Sequence, residues 1–397
     1  MKPAPVAFES FYAEPSRNGV YKPAQFRGHG VRMVNMGELF GHELIGTQDM
    51  ERIELSAAEL DRSELRDGDL LFGRRSLVEA GAGKCSLVVD PTEALTFESS
   101  IIRVRLKRDK ANPRFFHYYF AAPQGRGLVR TIVSGAAVKG IRGSDLAKLH
   151  VTVPLLPVQD AIADVLKAYD DLIENNRRRM ALLEEAARQL YREWFVRLRF
   201  PGHEHTRITN GVPEEWERAQ LGELAEITMG QSPESKHYNE DGEGPPFHQG
   251  VTDFGARFVT HRIYSTALNR VAEAGDILCS VRAPVGRLNV TLDRIVIGRG
   301  LSALRSKTGH QSLLLQQLRA HFFKEDLIGG GAIFASVTKK EFSAQEVLEP
   351  PERLKRAFEE VTVPCDEQIR VLHLQNQQLR AARDLLLPRL MSGEIAV

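Results

Sequence analysis

The second half of this chain restates the first, and that repetition narrows the folds open to it more than any local motif does. Residues 160 to 196, DAIADVLKAYDDLIENNRRRMALLEEAARQLYREWFV, carry the apolar spacing of a long amphipathic helix, and a similar segment fills residues 356 to 392. A shift of 196 positions aligns the two without a gap. Asp170, Ile173, Leu183 and Leu190 then fall on Asp366, Ile369, Leu379 and Leu386, while Pro154 falls on Pro350. Self-similarity over such a length means repeated structural units, each expected to consist of a globular part and a helix.

The globular parts repeat more loosely. Ile102, Val104 and Leu106 alternate with Arg103, Arg105 and Lys107, and Leu288, Val290 and Leu292 alternate in the same way, the period of a strand with one buried face. The phrase Gly68-Asp69-Leu70-Leu71-Phe72 returns 207 positions later as Gly275-Asp276-Ile277-Leu278-Cys279. A basic, glycine-containing segment follows each: Arg74, Arg75, Gly81, Gly83 and Lys84 in one half, Arg282, Gly286 and Arg287 in the other. A helix is expected next, at 114–122 or 312–323. A third echo sets residues 135–142 against 331–338, again 196 apart. Proline and glycine make residues 201–215 the natural linker. The expected division is a globular domain at 1–153, a helical spacer at 154–200, the linker, a second globular domain at 216–349 and a second spacer at 350–397.

The helices carry a seam. Ile162, Leu166, Tyr169 and Ile173, then Met180, Leu183, Ala187, Leu190 and Trp194, step by four and three with Asn176 as a polar interruption. In the second helix the seam is Phe358, Cys365, Ile369, Leu372, Leu379, Leu386 and Leu390, interrupted by Thr362, Asn376 and Arg383. Mirrored antiparallel pairing makes partner numbers sum to 552, so that Ile162 meets Leu390, Trp194 meets Phe358 and Asn176 meets Asn376. A buried asparagine pair fixes register at a cost in stability. The fold class expected is α+β: two mixed α/β domains separated by two long helices in an antiparallel coiled coil with pseudo-twofold symmetry. The competing arrangement packs each helix only on its own globular domain. Pro364 and Pro388 should start, kink or end the second helix. Thirty-seven helical residues extend about 55 Å at ~1.5 Å each, long enough to bridge somewhat more than a turn of duplex DNA.

At 397 residues and 42% hydrophobic content the chain can bury two or more cores. It has no apolar run of membrane-spanning length, and its start, MKPAPVAFESFYAEP, lacks the pattern of an export signal. Cys85, Cys279 and Cys365 are far apart and outside any CxxC pattern, which points to a reducing cytoplasm without disulfides or zinc. A formal net charge of +1 argues against indiscriminate coating of nucleic acid. Basic residues concentrate at 101–114 and again at Arg177, Arg178, Arg179, Arg188, Arg192, Arg197 and Arg199; such runs are either solvated faces or contact surfaces.

Catalysis finds little support. Gly81-Ala82-Gly83-Lys84-Cys85-Ser86 looks like the end of a phosphate loop, but Val78 stands where glycine is required and Cys85 where Ser or Thr is. A loop between strands is the better reading, and Gly329-Gly330-Gly331 reads as a flexible turn. No Asn-Pro-Pro-aromatic methyltransferase motif occurs, nor a nuclease set of paired carboxylates with lysine. His203 and His205 read as part of a solvated loop. No catalytic or metal-ligating residue is expected.

Several phrases together resemble the specificity subunit of type I restriction-modification systems. They are Pro154-Leu155-Leu156-Pro157-Val158-Gln159 leading into Ile162, Asp170-Asp171-Leu172-Ile173, Leu182-Leu183-Glu184-Glu185, Tyr191-Arg192-Glu193-Trp194-Phe195 and Phe200-Pro201-Gly202. The second globular domain opens on Pro213, Trp216, Leu221-Gly222-Glu223-Leu224 and Gly230-Gln231-Ser232-Pro233, and the chain closes on Leu386-Leu387-Pro388-Arg389-Leu390 and Ser392-Gly393-Glu394-Ile395. The resemblance spans essentially the whole chain. It departs at the amino terminus, which lacks the Trp and Leu-Gly-Glu opening, and at Lys355, where the helix-leading phrase has glutamine. It implies a non-catalytic subunit whose two target-recognition domains bind double-stranded DNA at an asymmetric bipartite sequence. Two methylation subunits, which use S-adenosylmethionine, would dock on the helices, and restriction/translocase subunits, which use ATP and Mg²⁺, would join them. No cofactor is expected in this chain.

For DNA contact the leading candidates are Arg74, Arg75, Lys84, Arg282 and Arg287, each in a loop after a buried-strand phrase, since arginine reaches guanine edges and both cations neutralise phosphates. Asn35, Gln249, Lys139, Arg142, Lys339 and Lys340 are secondary candidates. Tyr191, Trp194 and Phe195 form either a partner-docking patch or core packing. The competing functions are a protein-joining scaffold with two globular heads, which would not bind a bipartite duplex, and a fragment of a self-contained methyltransferase or nuclease.

Overall fold

The computed structural model describes residues 4–322 and 336–397; the Gly329-Gly330-Gly331 turn and most of the 331–338 echo lie outside the described residues. The chain forms two compact units, Met1–Asn175 with Gln375–Val397, and Asn176–Leu374. This differs from the sequence-based division. The long helices are not separate bodies, because each contributes one segment to each unit and completes both cores.

In the first unit a five-stranded sheet has the order Arg17–Asn18, Ile101–Val104, Leu70–Gly73, Cys85–Val88, Leu44–Ile45. A three-stranded sheet sets Arg27–Val34 between Arg52–Ile53 and Leu95–Phe97. The helix Pro113–Ala121 starts where expected, with Asn112 accepting from the amides of Arg114 and Phe115 and a proline in the first turn. Its aromatic residues are buried, and Phe116 and Phe120 pack with Phe8 and Phe72.

The second unit repeats the plan with one strand fewer in its larger sheet. Its four-stranded sheet runs Ala225–Met229, Leu301–Ser306, Ile277–Ser280, Leu288–Val290, and a three-stranded sheet places Ile295–Ile297 between Phe247–His248 and Val271–Ala272. The helix Gln311–Phe322 buries Leu314, Leu315 and Leu318 against the four-stranded sheet.

The repeated Gly-Asp phrase is a turn that opens a central strand. Gly68 and Gly275 adopt left-handed backbone, φ 83° and 88°, which residues with a Cβ avoid. The aspartate then closes the turn: Asp69 accepts from the Arg66 amide at 2.8 Å, and Asp276 accepts from the Glu273 amide at 2.8 Å. Each also holds an arginine from the neighbouring strand side, Arg105 at 2.7 Å and Arg305 at 2.7 Å.

That arrangement corrects the reading of residues 101–107 as a strand with a solvated basic face. Arg103 is only 2% exposed and donates to Glu14 and to the Glu64 carbonyl, while Arg105 lies between Glu14 and Asp69. The basic run is half interior because three carboxylates and carbonyls meet it there.

The first long helix spans Leu156–Tyr191 and ends in a π-type turn at Arg192–Val196. The second spans Glu352–Ser392. It neither starts nor ends at Pro364 or Pro388, since one lost backbone donor is tolerable in a helix held by packing along its length. Within each unit the two helix segments run antiparallel in the expected register. In the first unit Ile162 and Leu390 share one core, Arg383 bonds Asp170 at 2.7 Å, and Asn376 donates to the Ile173 carbonyl at 3.1 Å. In the second, Met180 and Leu183 pack with Ile369, and the Trp194 and Phe358 rings lie 6.1 Å apart.

Asn376 is 2% exposed and Asn176 is 6% exposed; they belong to different units. Removing both buried amides together, Asn176→Leu with Asn376→Leu, leaves neither of the two stranded by loss of the other and is expected to raise the melting temperature by a few degrees, roughly 1 kcal/mol, measured by thermal unfolding.

The linker is more structured than its composition suggests. Gly202, at φ 88°, turns the chain, and Ile208–Thr209 pairs with Val212–Pro213 as a short hairpin, while His203 and His205 sit in a single 3₁₀ turn. Phe200 and Trp216 on either side of it are buried in one cluster with Phe195, Leu354 and Phe358, to which Tyr191 and Trp194 add their rings. Of the aromatic trio Phe195 is core, 8% exposed with its ring 5.2 Å from that of Phe358, while Tyr191 and Trp194 are half-buried against the same cluster. No helix among the described residues is long and apolar enough to cross a membrane.

Candidate nucleic-acid interface

Three sequence echoes with different offsets converge on one construction in each unit. In the first, the strand Leu70–Gly73 leads into Arg74 and Arg75; the Arg74 carbonyl accepts from the Ile141 amide at 3.0 Å, and Arg75 pairs with Gly140. In the second, the strand Ile277–Ser280 leads into Val281 and Arg282; the Val281 carbonyl accepts from the Val337 amide at 2.9 Å, and Arg282 pairs with Ser336. A short helix follows each crossing, Gly143–Ala147 with Arg142 as its cap residue and Lys339–Ser343 with Thr338 as its cap.

The return of the hairpin is also equivalent. Gly73 donates to the Lys84 carbonyl and receives from the Gly83 amide; Ser280 donates to the Arg287 carbonyl and receives from the Gly286 amide. Arg75 and Arg282 therefore occupy one position of the repeated plan, and Lys84 and Arg287 another. Arg74 has Val281 as its counterpart, so that charge belongs to the first unit alone.

The side chains differ in freedom. Arg75, Arg142, Arg282, Arg287, Lys339 and Lys340 are exposed and Lys139 is half-buried, and among the described residues none of these seven forms an ion pair. Unneutralised cations gathered about the same hairpin in each unit attract a polyanion. Arg74 is half-buried with Nη1 3.4 Å from the Ser99 carbonyl. Lys84 is anchored: its Nζ lies 2.5 Å from the Phe40 carbonyl at the end of the helix Met36–Gly41 and 5.9 Å from the Phe40 ring. The phosphate-loop lookalike is indeed the loop between two strands, with Arg126 bonding the Ala80, Ala82 and Gly83 carbonyls.

Asn35 and Gln249 are a further equivalent pair. Each follows the end of a strand in parallel register with its neighbour, Val34 beside Phe97 and His248 beside Ile297. Asn35 is occupied structurally, as the residue capping the helix Met36–Gly41, with its amide NH₂ 3.4 Å from Glu51 and its backbone N–H donating to Glu38 at 2.8 Å. Gln249 is exposed, and Ser232 donates to its Oε1 at 2.8 Å. Backbone bonds tie Gln249 to the basic rim: its carbonyl accepts from Gly300, whose own carbonyl accepts from Val281. An open cleft of about 720 Å³ beside Gln249 is lined by Tyr238, Phe247, Arg262 and Arg299.

Behind Gln249 lies a chain of histidines. His248 is 1% exposed with Nε2 3.0 Å from His261 Nδ1, and His261 Nε2 is 2.9 Å from Asp293. Burial, reinforced by the neighbouring His261, pulls His248 down to about 4. Sequence reading missed this relay, for which scattered histidines give no signal. It also missed Ser232 as a positioning group, although the Gly230-Gln231-Ser232-Pro233 phrase contains it. Among the described residues no group of His, Cys, Asp and Glu could hold a metal ion.

Two copies of one basic rim on two domains joined by repeated helices match one family over most of the chain. The type I restriction modification DNA specificity domain matches residues 47–185 and again 213–353. The chain belongs to that family. Among curated relatives of this specificity family, the provisionally named type I restriction enzyme MjaX specificity subunit of Methanocaldococcus jannaschii is 27% identical over 350 residues, covering 87% of this chain and 82% of that protein. The EcoKI specificity subunit of Escherichia coli is 31% identical over 173 residues, covering 42% of this chain and 36% of that protein. Among solved structures, the type I restriction-modification S subunit from M. genitalium shares the fold, with a TM-score of 0.58 at 16% identity over 98% of this chain and 99% of that one. DNA specificity is the role of this family, and each globular domain is a target-recognition domain.

Proposed function

We propose that the chain is the non-catalytic specificity subunit of a DNA-modifying complex, each recognition domain reading one half of an asymmetric bipartite target. The observation that carries this reading is the equivalence of Arg75 with Arg282 and of Lys84 with Arg287, each pair mounted on the same hairpin of its domain. Equivalent mountings with different neighbouring side chains suit two docking events of one kind on two different sequences. Partners follow from the same reading: double-stranded DNA, two methylation subunits docked along the helical repeats, and restriction/translocase subunits joining that complex in the cytoplasm. S-adenosylmethionine would be held by the methylation subunits, and ATP with Mg²⁺ by the restriction subunits.

The test is a genome-wide map of methylated adenines in cells with and without this chain. A bipartite methylated sequence is expected only when the chain is present. Arg75→Ala with Lys84→Ala should weaken recognition at one half, and Arg282→Ala with Arg287→Ala at the other, each by roughly 10-fold or more. A methylation pattern independent of the chain, or methyl transfer by the isolated chain, would overturn the proposal.

A further inference from the structure

Gln249 differs from the cations around it in that its orientation is fixed before any ligand arrives. Ser232 has a single hydroxyl hydrogen, donated to Gln249 Oε1 at 2.8 Å, and Ser232 Oγ in turn accepts from the Arg299 amide at 3.2 Å. Turning the glutamine amide over would leave that hydrogen without its acceptor. The backbone is equally constrained. A Cβ on Gly298 would come within 2.7 Å of Gln249 Oε1, and one on Gly300 within 2.5 Å of the Gln249 carbonyl, so both positions exclude a side chain to let the glutamine sit where it does. His248, one residue back, is buried and bonded to His261. A surface amide oriented by a hydrogen bond in advance loses less rotational entropy on binding, which favours discrimination over mere attraction.

The Gln249 side chain is exposed, and its amide keeps two N–H donors and one lone pair of Oε1 for a ligand. In the major groove adenine alone presents the complement, an N7 acceptor next to an N6 donor; guanine offers only acceptors, cytosine a donor, and thymine an acceptor with a methyl. We infer that Gln249, oriented by Ser232, is a base-reading residue of the second recognition domain and selects adenine at one position of its half-target. Ser232 is a positioning residue that acts through Gln249. The inference rests on the proposed DNA-reading function and adds to it which residue reads which base. The first domain lacks the device: Tyr21, 77% exposed, is the counterpart of Ser232, and the Asn35 amide is spent on Glu51.

The experiment uses the full chain assembled with its methylation subunits. Methylated sequences are mapped in cells, and binding is measured by competition between duplexes differing at single positions. With Gln249→Ala, one adenine position in one half should become degenerate, discrimination there falling about 10- to 100-fold, while the other half stays specified. Gln249→Glu, of the same size but without donors, should lose the same adenine and guards against a folding artefact. Ser232→Ala should relax that same position to a smaller extent. An unchanged sequence preference for Gln249→Ala, relaxation at a position that is not adenine, or equal loss on every duplex would overturn the inference while leaving the DNA-reading function standing. A wild-type chain that specifies no sequence would overturn both.

Discussion

Asp69→Ala is expected to be among the most damaging single changes in the first unit, costing on the order of 3–5 kcal/mol. The Asp69 side chain is 1% exposed and bonds both the Arg66 amide and the Arg105 guanidinium, whose two contacts are each 2.7 Å. Its removal opens the turn that starts the central strand and leaves Arg105, 19% exposed, with a deficit of negative charge next to buried Arg103. The repeat supplies an internal comparison. Asp276 makes the same turn, but its partner Arg305 is 47% exposed and can be hydrated when the carboxylate is gone. Asp276→Ala should therefore cost about 1–2 kcal/mol, mostly the lost turn bond. Urea unfolding with amide exchange resolved by unit gives both numbers; equal losses in the two variants would show that burial of the arginine does not set the cost.

Acid should weaken both units well before ordinary carboxylates titrate. His117 in the first unit is 2% exposed and His248 in the second is 1% exposed, and burial is the largest cause that lowers each to about 4 from the usual 6.5. Above pH 6.5 these imidazoles are neutral whether the chain is folded or not, so they contribute no pH dependence. Between 6.5 and 4 the unfolded chain takes up protons that the folded chain refuses, and stability falls as pH falls. The loss is complete below about 4, on the order of 3 kcal/mol for each histidine. Denaturant midpoints measured from pH 8 to 4.5 should be flat at the alkaline end and decline from about 6.5. His117→Phe should flatten the decline in the first unit and His248→Asn in the second; a slope indifferent to both changes would rule the two histidines out as its source.

The helices were legible in sequence because their signal is periodic and repeated: Ile162 with Leu390 and Trp194 with Phe358 follow from spacing alone. The strand phrases around Asp69 and Asp276 were legible as repeats, but their chemistry was not. Nothing in alternation distinguishes a solvated arginine from Arg103, whose acceptors Glu14 and Glu64 lie far away in sequence. Phe195 fits a docking patch as well as its neighbours Tyr191 and Trp194 do, until Trp216, Leu354 and Phe358 are seen to enclose it. The candidate interface was half legible. Arg75, Lys84, Arg282 and Arg287 could be picked from their place after a buried strand, whereas their equivalence in pairs depends on backbone bonds that join segments 60 or so residues apart.

Those joining bonds run from main chain to main chain, Arg74 carbonyl to Ile141 amide and Val281 carbonyl to Val337 amide. Neither bond depends on which side chain is carried at positions 75, 282 or 287. On the proposed DNA-reading function, mutation there can retype the letters on these two hairpins without resetting the press that holds them, so new sequence preferences would lie a few substitutions away and carry little structural debt.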